Sequence, residues 1–76
     1  MSFQAYLDNI QAKTGCSPDD FRALAADKGF TDAGGLRKGV KAGEILDWLA
    51  RDFDLGRGHG MAIFALLKGL RQPGDA

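Results

Sequence analysis

The chain has 76 residues, of which 45% are hydrophobic, with ten basic and ten acidic side chains. That length holds one small domain, and that apolar share excludes an intrinsically disordered segment. The zero formal charge advertises neither a nucleic-acid nor a membrane partner.

The charge is slightly uneven: residues 1–32 carry three basic and five acidic groups, residues 33–76 seven and five. The positive half is therefore the C-terminal one. Cys16 is the single cysteine, so no intramolecular disulfide forms, and a lone thiol makes no metal site. Such a chain suits a reducing cytoplasm. The start, MSFQAYLDNIQAK, lacks the basic-then-apolar pattern of a signal peptide. The longest unbroken apolar run, Met61 to Leu67, is too short for a transmembrane helix.

Four helices are predicted. The first covers about residues 2–13, because Phe3, Tyr6, Leu7 and Ile10 recur at one-face spacing. Ser2 is its N-cap and Gly15 its stop. The second covers about residues 18–28 and has the clearest start in the chain. Ser17 caps, Pro18 takes the first helical position, and Asp19 and Asp20 sit in the positive first turn, with Asp20 in the capping-box place. Phe21, Leu24 and Ala25 form its buried face, and Gly29 ends it.

Residues 29–40 read as an ordered, glycine-rich connection without strand alternation. Phe30, Leu36 and Val40 are expected to plug the core, with a short helical turn near Thr31–Leu36. The third helix covers about residues 41–53, with Ile45, Leu46, Leu49 and Phe53 inward and Trp48 beside them. The fourth covers about residues 59–70, where Ile63, Leu66, Leu67 and Leu70 repeat on one face. The fold class is thus all-α: a compact bundle of four short helices spanning residues 1–71, followed by a frayed tail, residues 72–76.

The most informative segment joins the last two helices. Gly56, Gly58 and Gly60 alternate with Arg57 and His59 directly before an apolar helical pattern. A side-chain-poor backbone at a helix N-terminus offers N–H groups to an anion. It equally serves as a device for ending one helix, by a positive φ at Gly56, and bringing the next close through Gly58 and Gly60. Gly56, Gly58 and Ala62 resemble the second half of a helix-hairpin-helix motif over residues 44–70. In that motif the glycines allow a tight turn and open amides toward a DNA phosphate, and the alanine permits close helix contact. Arg57 departs from it, standing where the motif has an apolar residue, and residues 1–40 show no second copy.

Arg37, Lys38 and Lys41 form a small basic cluster that would support a phosphate site if the fold brings it to Arg57, with Lys68 and Arg71 as further cations. As a solvated loop the cluster needs no function. His59 is the only histidine, and no nucleophile with an oriented carboxylate accompanies it, so no catalytic residue is assigned and no enzyme is expected. No metal site or cofactor is expected either. Trp48 marks a partner surface if it is exposed and core if it is not. Asp19 and Asp20 are explained by the helix dipole, and Cys16, just before a cap, is expected to be inert.

Over nearly its full length the chain also resembles a family of small bacterial proteins grouped as a domain of unknown function. The matching residues are Phe3-Gln4-Ala5-Tyr6, Lys13-Thr14-Gly15, Ser17-Pro18-Asp19-Asp20-Phe21, Lys41-Ala42-Gly43-Glu44-Ile45, Trp48-Leu49, and Leu55-Gly56 with Gly58-His59 and Met61-Ala62. Relatives commonly carry Ala after the histidine, so Gly60 is a departure. The resemblance implies a bacterial, cytoplasmic, helical domain, sometimes fused to others, and implies no activity. The expected function is a small non-enzymatic binding module working through residues 56–60. Its ligand would be a protein or an anionic group; the alternative is non-specific nucleic-acid binding through the phosphate backbone.

Overall fold

A computed structural model describes residues 2–32, 35–71 and 74. Helix α1 spans Phe3–Thr14, α2 Pro18–Asp27, α3 Ala42–Phe53 and α4 Arg57–Lys68, and a small β-ribbon lies between α2 and α3. The all-α, four-helix architecture matches the sequence reading, with boundaries moved by a residue or two.

The helix ends follow from their sequences. Ser2 Oγ accepts the Ala5 N–H at 3.2 Å, and Gly15 closes α1 in the left-handed region at φ 76°. At α2 the capping box is complete. Ser17 Oγ accepts the Asp20 N–H at 3.2 Å, and Asp20 Oδ2 accepts the Ser17 N–H at 2.9 Å. At α3 only the reciprocal half exists: Glu44 Oε2 accepts the Lys41 N–H at 3.2 Å. An ammonium cannot accept a bond, so the Lys41 side chain caps nothing.

The connection is ordered as expected, but its form differs. Thr31–Asp32 (β1) and Gly35–Leu36 (β2) pair antiparallel, Thr31 opposite Leu36 and Asp32 opposite Gly35. This replaces the expected helical turn near Thr31–Leu36. The Arg37 N–H donates to the Phe30 carbonyl at 2.9 Å and extends the ribbon. Two residues per strand are too few for any alternation to show in a sequence.

The core is continuous across the helices. Ile10, Phe21, Ala25, Ile45, Leu49 and Ile63 are buried to 1% exposure or less. Phe30, Leu36 and Val40 pack against it half-buried, as the sequence implied. Trp48 is 2% exposed and sits in an aromatic chain, its ring 5.5 Å from Phe30 and 5.8 Å from Phe53, which in turn lies 5.1 Å from Phe21. Trp48 is therefore core and offers no partner surface. Of the expected tail, only Gly74 is among the described residues. Its N–H donates to Gln4 Oε1 at 2.7 Å, which places Gly74 beside the start of α1.

Candidate functional site

The turn between α3 and α4 is built by residues the sequence reading weighted differently. The left-handed residue is Asp54, at φ 54°, while Gly56 has an ordinary φ of −71° and stands as the N-cap of α4. The expected positive φ at Gly56 is thus corrected. Asp tolerates the left-handed region better than most side chains. The reversal at Asp54 also turns Leu55 inward, to 3% exposure. Lys13 Nζ donates to the Asp54 carbonyl at 2.7 Å and lies 3.9 Å from its carboxylate, tying the turn to the end of α1. The carboxylate is fully exposed, so this ion pair contributes little to stability. Helix α4 begins at Arg57, two residues earlier than the sequence placed it.

The three glycines separate into two roles. A Cβ at Gly56 or Gly58 would meet nothing within 4 Å, so neither is needed for helix approach. Gly60 is buried, and a Cβ there would lie 2.6 Å from Leu46 Cδ2 and 4.0 Å from Leu49 Cδ1. Of the two glycines read as bringing the helices close, Gly58 and Gly60, it is Gly60 that lies at the α3–α4 contact, where an added Cβ would displace the end of the Leu46 side chain. Ala62, 8% exposed, lies on another side of α4, toward α1.

No side chain caps the first turn of α4. Its N–H groups therefore have no protein side chain to satisfy them and carry the positive end of the helix dipole. Arg57 and Gly58 are exposed there, and His59 is half-buried, its ring edge-to-face with Tyr6 at 5.6 Å. His59 thereby joins the turn to α1.

Two open grooves flank the turn. One, of about 360 Å³, lies between α1 and α4 and is bordered by Gly58. The other, of about 310 Å³, lies between α3 and α4 and is bordered by Gly56, Arg57, Gly43 and Asp47. Of the expected basic cluster, Arg37, Lys38 and Lys41 are exposed. The Arg37 guanidinium lies beside Gly29, at the end of α2, and the following chain leads into α3. Neither groove beside the turn is lined by Arg37, Lys38 or Lys41. Lys68 stands 5.6 Å over the Phe64 ring and Arg71 5.2 Å over the Phe3 ring, each pairing a cation with an aromatic face.

Among the described residues no group of three His, Cys, Asp or Glu side chains could hold a metal, and no polar or charged residue is buried. Cys16 is half-buried beside α2, its N–H donating to Thr14 Oγ1 at 3.1 Å. No helix among the described residues is long and apolar enough to cross a membrane.

The model of one protein family, Domain of unknown function (DUF4287), matches residues 2–69. The chain belongs to that family, and the match covers all four helices. No curated protein and no solved structure matches it.

Proposed function

We propose that this domain is a small non-enzymatic binding module whose working surface is the glycine-rich turn between α3 and α4. Its ligand is a protein or an anionic group. The observation that carries the reading is the position of the turn. It forms the ridge between two grooves and ends in a helix N-terminus that no side chain closes. The non-enzymatic part keeps the expectation drawn from the sequence, in which His59 has no nucleophile with an oriented carboxylate beside it. A bacterial cytoplasmic setting belongs to the same reading, supported by the unpaired Cys16.

Non-specific nucleic-acid binding is the second reading. It is favoured by the unobstructed space around Gly56 and Gly58 followed by a buried Ala62, the residue types that resemble a helix-hairpin-helix turn. An amide-resolved NMR titration with inorganic phosphate and with short single- and double-stranded DNA, at low and moderate salt, tests both. Shifts at Gly56–Met61 from phosphate alone support an anion-binding turn. DNA shifts that also reach Arg37–Lys41, fade steeply with salt, and weaken in Arg57→Ala or Lys38→Ala move nucleic acid to first place. No shifts at low salt leave protein partners as the ligand class.

A further inference from the structure

Helix α1 grips the α3–α4 turn at two points. Tyr6 and Lys13 are seven residues apart, two helical turns, so they share one face of α1. Lys13 Nζ holds the Asp54 carbonyl at 2.7 Å, at the start of the reversal, and the Tyr6 ring meets His59 at 5.6 Å, at its end. The flanking backbone is closed in the usual way. Helix α3 ends with the Leu55 N–H on the Leu49 carbonyl at 3.2 Å, and α4 starts with the Gly60 N–H on the Gly56 carbonyl at 2.8 Å.

The segment between these bonds is thinly held. Asp54, Gly56, Arg57 and Gly58 are exposed, and a Cβ at either glycine would meet nothing within 4 Å. Asp54 is the one non-glycine residue with a positive φ among the described residues. That conformation costs an L side chain free energy, even though Asp bears it better than most. Leu55, 3% exposed, anchors the segment from within. Few buried apolar contacts, two glycines and a strained residue mark a segment that opens more easily than the domain unfolds. Leu55 also lines the groove between α3 and α4, beside Gly56 and Arg57. When the turn swings out Leu55 leaves with it, and the space it filled joins that groove.

We infer that the α3–α4 turn is a strap with a closed and an open form, hinged at Asp54 and latched by Lys13 from α1. The latch is open to solvent, since the side chains of Lys13 and Asp54 are 49% and 100% exposed. Water therefore competes for the ammonium, and the closed form is held without being locked. Helix α1 thus governs the depth of a groove that none of its residues lines. This goes beyond the binding reading and does not require it, because the strap opens with no ligand present.

The test is native-state amide hydrogen exchange on the full chain, without ligand, in rising urea below the unfolding transition. The Asp54 and Leu55 N–H groups report the strap, because opening breaks their bonds to the Ala50 and Leu49 carbonyls. Both should exchange faster than the core amides of Leu49 and Ile63 and depend only weakly on urea. Lys13→Met should speed both by about three- to tenfold, whereas Lys13→Arg, which keeps a charged donor, should hold them near the unmodified rate. Exchange of the two amides along the same urea line as Leu49 and Ile63 overturns the inference, because the turn then opens only when the whole domain unfolds. Local exchange that Lys13→Met leaves unchanged overturns it too, because α1 is then no latch. An Arg variant as fast as the Met variant assigns the effect to lost packing and has the same consequence. Each of these failures leaves the turn standing as a binding surface, which the phosphate and DNA titrations test separately.

Discussion

Helices α2 and α4 begin in opposite ways. At α2 a serine, a proline and two aspartates close the first turn with the protein's own side chains. At α4 a glycine stands at the cap and no side chain reaches back. A closed end stabilises the fold by about 1 kcal/mol, whereas an open end forgoes that contribution and leaves its amides to whatever arrives. In a domain this small, with a thin stability margin, that difference directs attention to α4.

The largest effect should come from a bulky side chain at Gly60. Gly60→Val should destabilise the domain by about 1–3 kcal/mol in chemical denaturation, because its branched side chain displaces Leu46 from the α3–α4 contact. Leu46→Ala in the same chain should recover part of the loss, since Leu46 Cδ2 is the atom in the way. If the double variant recovers nothing, the assignment of Gly60 to helix approach is wrong. Next, Ser17→Ala should cost about 1 kcal/mol by removing the bond to the Asp20 N–H. A cost near zero would mean that the two helix starts differ less than their hydrogen bonds indicate.

Gly58→Ala acts in the opposite direction. The position is helical and open, so the substitution should raise stability by about 0.4–1 kcal/mol. A loss of stability would show that Gly58 is held by a constraint other than space. The smallest effect is expected of Gly56→Ser, whose extended backbone at φ −71° and ψ 174° accepts a capping side chain. It should add a few tenths of a kcal/mol and, by occupying a first-turn amide, weaken phosphate-induced shifts at that turn.

Much of the fold was legible from spacing. The one-face repeats of Phe3, Tyr6, Leu7 and Ile10, and of Ile63, Leu66 and Leu67, are local properties, and so is the Ser17–Asp20 box, whereas Leu70, read as part of the second repeat, lies beyond α4 and is 65% exposed. The ribbon at Thr31–Leu36 was not legible, because strands of two residues have no period. Asp54 escaped notice because three glycines nearby appeared the natural owners of a positive φ. What selects Asp54 is the burial of Leu55 and the Lys13 bond to its carbonyl, both tertiary. Helix approach was legible at Gly58 and Gly60 together; which of them meets α3 was not, because it depends on Leu46, fourteen positions before Gly60. The α1–α4 groove needed the antiparallel approach of two helices at opposite ends of the sequence. Its residues were visible only separately: Phe3 and Tyr6 as core positions, Gly58 and Ala62 as parts of the glycine turn, Arg71 as a further cation.

The burial of Trp48 has a practical consequence. It is the only tryptophan, enclosed by Phe30 and Phe53 and absent from the lining of either groove beside the turn. Its emission should redden when the core opens and stay nearly constant when either groove is filled. Unfolding and ligand binding therefore have separate optical signals, and the melting of each variant is readable by intrinsic fluorescence with ligand present.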